Sequence, residues 1–86
     1  MISTGVHHVS INVADTDTAR DFYVDVLGFE VIHRPDLGFP GAWLRIGAQQ
    51  LHLLEKPVPE DHGQHFALAV DDLDAAVAAV KAALPG

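Results

Sequence analysis

The stretch HVSINVADTDTA, His8 to Ala19, returns further along the chain as HFALAVDDLDAA, His65 to Ala76. The two superpose without a gap at an offset of 57 residues, so that His8 falls on His65, Ile11 on Leu68, Val13 on Val70, Asp15 on Asp72 and Asp17 on Asp74. The register still holds at Leu27 and Leu84. Self-similarity at a fixed spacing marks two copies of one supersecondary unit. In each copy apolar residues alternate with polar or small ones, the period of a half-buried strand. Aspartates then stand where a helix is capped.

Outward from the first copy, Ala19, Phe22, Tyr23, Val26 and Leu27 follow the spacing of an amphipathic helix. Asp15, Thr16 or Asp17 can cap its start, and Gly28 stands where the residue after a helix C-cap is expected. Phe29 to Arg34 predict a strand. Pro35 to Gly41 form a loop, and Trp43–Ile46 with Gln50–Leu54 form a hairpin around Gly47, Ala48 and Gln49. A polar connector, Lys56 to Gly63, leads to a strand over Gln64–Val70 and a helix over Leu73–Leu84. That helix has Leu73, Ala76, Val77, Val80 and Leu84 as its inward stripe. The fold class is therefore α+β, a single domain over residues 1–86. Residues 5–56 make a β-α-β-β-β module and residues 64–86 begin a second one as β-α, its last three strands absent. The expected core includes Val9, Ile11, Val13, Phe22, Val26, Leu44, Leu68 and Val77. A β-α pair without neighbouring strands leaves edges and one helix face uncovered. A longer natural protein is the expected reason, and a homodimer the expected association.

Composition narrows the function. Eighty-six residues with 49% apolar and 20% charged side chains exclude disorder and allow one small domain. The absence of cysteine excludes a disulfide scaffold, a thiolate zinc site and a cysteine nucleophile. Five basic against twelve acidic residues give a net charge of −7 with no basic cluster, which argues against nucleic acid. No uncharged apolar run approaches the roughly 18 residues of a membrane span, and the N-terminus has no signal-peptide pattern. A cytoplasmic location without membrane contact is expected.

Six histidines remain to be explained. His8 and His65 open equivalent strands and project from the face opposite the apolar one, and His52 lies on a later strand of the first unit. Three imidazoles could thus converge on one concave sheet face and hold a divalent metal. By alternation His7 points away from His8; it, His33 and His62 are expected at the surface. Glu55, three residues from His52, falls on the opposite strand face. Trp43 and Arg45 share a face. Two readings stay open for them: a substrate wall with Arg45 holding an anionic group, or a surface arginine covering the indole. Phe22 and Tyr23 read as core. Ser10 and Asn12 share the His8 face and imply no nucleophilic triad.

The segments HHVSINVADTDTARDFYVDVLGFEV, FPGAWLRIGAQQLHLLE and GQHFALAVDDLDAA together resemble the vicinal oxygen chelate superfamily. That superfamily contains glyoxalase I, extradiol dioxygenases, fosfomycin resistance proteins, methylmalonyl-CoA epimerase and bleomycin resistance proteins. The resemblance implies paired β-α-β-β-β modules closing around a metal or ligand site. It places the metal ligands at His8, His52 and His65, and a fourth, a glutamate, at about position 109 by the repeat offset, beyond this chain. The implied cofactor is a divalent ion, with Zn, Ni, Fe and Mn undistinguished. The implied function is a metal-dependent glyoxalase- or dioxygenase-like enzyme, a lyase or dioxygenase when full length, acting on a small oxygenated metabolite chelated to the ion. The alternative is a metal-free module that sequesters a small molecule or drug, as bleomycin resistance proteins do. Imidazoles at all three ligand positions favour the enzyme. No catalytic residue and no organic cofactor site is assigned.

Overall fold

A computed structural model describes residues 1–84. Strand β1 (His8–Val13) leads into helix α1 (Thr16–Asp21), followed by β2 (Glu30–Ile32), β3 (Gly41–Ile46), β4 (Gln49–Glu55) and helix α2 (Leu73–Ala83). The four strands form one sheet in the order β1-β4-β3-β2. β1 runs parallel to β4, and β3 is antiparallel to both of its neighbours. A parallel β1–β4 pair needs a crossover, and α1 provides it, covering one sheet face on the way to the far edge.

Asp15 is the residue that caps α1, its carboxylate accepting from the Thr18 N–H at 3.2 Å. Asp72 does the same for α2 with the Ala75 N–H at 3.0 Å. The helix expected through Leu27 is α-helical only to Asp21 and continues as a π-helical turn over Phe22–Val26. Gly28 closes it at φ 77°, a left-handed conformation that favours glycine. The Gly28 N–H bonds the Val24 carbonyl at 3.1 Å and the Phe29 N–H reaches Tyr23 at 3.0 Å. This turn delivers Phe29 into the core, so β2 begins one residue later than expected, at Glu30.

The core is Phe29, Ala42, Leu44, Leu51 and Leu53, with Leu44 and Leu53 fully buried. Of the expected core, Leu44 is buried. Val9, Ile11, Val13, Phe22, Val26 and Leu68 are half-buried, and Val77 is 43% exposed. Val77 fails because α2 packs chiefly against the π-helical turn, leaving Leu73, Val77 and Leu84 of its apolar stripe in solvent.

The strand expected over Gln64–Val70 does not form as a hydrogen-bonded strand. Phe66 and Leu68 pack against the core cluster, which explains the period-two pattern. The segment shares the lining of a cleft with Val9 to Asn12 of β1, yet among the described residues it exchanges no backbone hydrogen bonds with that strand. Alternation reports which side chains are buried; it does not supply a ladder partner.

Candidate functional site

The register of the sheet sorts its residues into two faces. Ser10 pairs with His52, which pairs with Trp43; His8 pairs with Gln50, which pairs with Arg45; and Arg45 pairs with Glu30. Directly paired residues point the same way, so His8, Ser10, Gln50, His52, Trp43 and Arg45 share one face. Leu51, Leu53, Ala42 and Leu44 point to the other, under α1. Glu55 lies with them, and its Oε1 accepts from the Thr16 N–H at 2.9 Å, so it anchors the start of α1 as the faces predicted.

On the first face the His8 and His52 rings stack, with centroids 4.1 Å apart and planes 14° from parallel. Trp43 stacks on His52 from the neighbouring strand at 4.2 Å and 6°. His52 is only 7% exposed. Its Nε2–H donates to the Gln50 side-chain oxygen at 2.8 Å, which leaves Nδ1 with the free lone pair. Burial, followed by the neighbouring charges of His8, His7 and Arg34, pushes its pKa below the ordinary 6.5. The ring is therefore neutral near pH 7, the form that metal ligation requires.

Two of the three histidines expected at the metal site are thus together. The third is apart: His65 is exposed, its Nδ1 bonded to the Gly63 carbonyl at 3.1 Å, in the cleft beside β1. Among the described residues no three His, Cys, Asp or Glu side chains converge as a metal site would need. The site face therefore offers donors of the right kind, but two of them rather than three. His7 departs from expectation, since its Nδ1 lies 2.9 Å from His8 Nδ1 and the ring turns toward the site. It precedes β1, so strand alternation does not govern it. His33 and His62 are at the surface. Arg45 forms an ion pair with Glu30 across β2 and β3. The sequence reading missed Gln50, Arg34 and Lys56; alternation puts Gln50 on the His52 face within β4, and continuing it just past the ends of β2 and β4 would have found Arg34 and Lys56.

Among the described residues no helix is long and apolar enough to cross a membrane.

Over residues 5–83 the chain matches the family model described as Glyoxalase/Bleomycin resistance protein/Dioxygenase superfamily. It is 45% identical over 58 residues to Glyoxylase I 4 of Arabidopsis thaliana, a match covering 66% of this chain and 33% of that one. The chain thus spans about a third of the plant relative's length. TnmS3, an antibiotic binding protein from Streptomyces sp. CB03234, superposes with a TM-score of 0.76 at 26% identity, covering 95% of this chain and 72% of that one. A mutant of the fosfomycin resistance protein FosX from Listeria monocytogenes, complexed with Mn(II), superposes with a TM-score of 0.80 at 17% identity, over 94% and 68% of the two chains. The last likeness shows the fold alone. With its family model matched over nearly its whole length, this chain belongs to the glyoxalase/bleomycin resistance protein/dioxygenase superfamily.

Proposed function

We propose that this chain is part of a metal-dependent enzyme of glyoxalase or dioxygenase type, acting on a small oxygenated metabolite held over the His8–His52–Trp43 face. His8 and His52 would hold the divalent ion, with His65 as third ligand from a segment that no ladder fixes to the sheet. The observation that carries this reading is the placing of His8 and His52 side by side, with His52 buried and neutral. The ion, when bound, supplies a Lewis acid for the substrate's vicinal oxygens. The chain's own residues do the rest. Trp43 offers a flat apolar wall, Gln50 fixes the tautomer and orientation of His52, and Ser10 presents a hydroxyl on the same face. A homodimer fits the exposed apolar side chains Val70, Leu73, Val77 and Leu84.

A second reading, a metal-free module that sequesters a small molecule, is favoured by two observations. The stacked Trp43–His52–His8 platform suits a planar ligand, and His65 stands apart from it. Measuring bound nickel and zinc by elemental analysis decides between the two. In the enzyme reading the wild type takes up about one ion per assembled site, and His8→Ala with His65→Ala abolishes uptake while far-ultraviolet circular dichroism is unchanged. Full metal content in that double variant, or none in the wild type, leaves the sequestering module.

A further inference from the structure

We propose that Arg34 and Lys56 form an oxyanion-binding subsite on this same face, so that the molecule held there carries a carboxylate or phosphate group. The inference deepens the proposed function and rests on it for the identity of the substrate face. The geometry comes from the ends of two strands. Arg34 continues the alternation of Glu30 and Ile32 beyond β2, and Lys56 continues that of His52 and Leu54 beyond β4. Both cations meet at one aromatic ring in the loop between β2 and β3. The Arg34 Cζ lies 4.9 Å and the Lys56 Nζ 4.4 Å from the Phe39 centroid.

Such a meeting is unexpected in a chain with twelve acidic side chains and five basic ones. Two other cations are paired in the ordinary way, Arg20 with Asp17 and Asp21, and Arg45 with Glu30. Among the described residues Arg34 and Lys56 have no carboxylate within ion-pair distance. Arg34 Nε and Nη2 are moreover buried and without any hydrogen-bond partner. Arg34 as a whole is half-buried, yet enclosed guanidinium N–H groups without a partner are costly, and the face of Phe39 offsets only part of that cost. Its seat is also cut to shape. A Cβ on Gly41 would come within 3.0 Å of the Arg34 Cζ and Nη2, so the guanidinium packs where a side chain is missing. The charge reaches the site, being one of those that act on His52. The planar fork of arginine matches the two oxygens of a carboxylate or phosphate, with lysine adding a point charge beside it.

The test titrates the protein with inorganic phosphate and, separately, acetate, against chloride at matched ionic strength. It reads the fluorescence of Trp43, the chain's sole tryptophan, together with the thermal midpoint. A saturable response to phosphate or acetate that chloride does not give is expected, and the stronger of the two identifies the group. Arg34→Gln should weaken that binding by about tenfold or more and Lys56→Gln by less, because the fork is lost only in the first. Arg34→Met should raise the midpoint of the ligand-free protein while erasing the anion-dependent rise, since it removes enclosed N–H groups that have no partner. The proposal is overturned by a wild type that responds to phosphate and acetate no more than to chloride, or by Arg34→Gln binding as the wild type does. A lowered ligand-free midpoint in Arg34→Met with the anion response kept overturns it as well, since that is the mark of a structural arginine. Nickel uptake on the same samples separates this from the metal reading. Anion binding without metal uptake sustains the subsite and removes the metal, whereas metal uptake without anion binding does the reverse.

Discussion

The indole of Trp43 lies flat on the imidazole of His52, 4.2 Å between centroids and 6° from parallel, and the two residues are direct cross-strand partners of β3 and β4. His8 continues the stack from β1 on the other side of β4. Neighbouring strands stand roughly 4.8 Å apart, close to the 4.1 and 4.2 Å that separate the ring centroids, so three adjacent strands can carry three rings in contact. The platform is therefore a product of the sheet's strand order, in which β1 pairs with β4 although the two are far apart in sequence.

Because Trp43 is the sole tryptophan, it reports the protonation of His52 directly. Its emission should change along a pH titration with a midpoint below 6.5, the direction set by the burial of His52 and the positive charges around it. His52→Gln should remove that inflexion. A midpoint at or above 6.5, or one that survives the substitution, would show that His52 is not the group being read.

Stability should follow the same titration. A histidine whose pKa is lowered in the native state is protonated first in the unfolded chain as pH falls, so the unfolded state is drawn down in free energy. The contribution is fully present above pH 6.5 and is lost as pH falls from there to the lowered native value. Urea unfolding between pH 8 and pH 5 should show the decline in the wild type and a flatter profile in His52→Gln. Parallel profiles for the two proteins would count against it.

Much of this arrangement is legible in the sequence. Alternation placed His8, Ser10 and Asn12 opposite Val9, Ile11 and Val13, and put Glu55 on the far side from His52. The equivalent aspartates, Asp15 and Asp72, do cap equivalent helices. What alternation cannot show is which strands become neighbours. The expected strand over Gln64–Val70 had the right period but found no ladder, and His65, carried by it, stays away from His8 and His52. Val77 had the right helical spacing but no element opposite it. Arg34 and Lys56 escaped notice because a cation just past a strand end reads as an ordinary polar loop residue until the fold brings two such ends together at Phe39.

Glu55 holds the start of α1 to the end of β4 through the Thr16 N–H. A carboxylate at a helix N-terminus satisfies an orphan donor and meets the positive end of the helix dipole. Glu55→Ala should therefore cost about 1–2 kcal/mol of stability, the loss typical of a removed cap. Denaturant unfolding measures it. Metal uptake should be unchanged, since Glu55 is on the opposite face from His52; a variant as stable as the wild type, or one that loses metal, would contradict this role.

Gly41 is constrained by space and Gly47 by backbone, and the two can be told apart. A Cβ at Gly41 would collide with the Leu53 carbonyl oxygen of the neighbouring strand and crowd the Arg34 guanidinium. Gly47, in the turn between β3 and β4, has φ 57° and nothing within 4 Å of an added Cβ. Gly47→Ala should cost about 1–2 kcal/mol, the penalty of a left-handed conformation. Gly41→Ala should cost about 1–3 kcal/mol by overpacking against backbone that cannot move aside. The costs overlap, so stability alone does not separate them. The anion response does: because only Gly41 seats Arg34, Gly41→Ala should lose much of the phosphate- or acetate-dependent rise in thermal midpoint, and Gly47→Ala should keep all of it. Equal responses in the two variants would mean that the position of Arg34 does not depend on the missing side chain at Gly41.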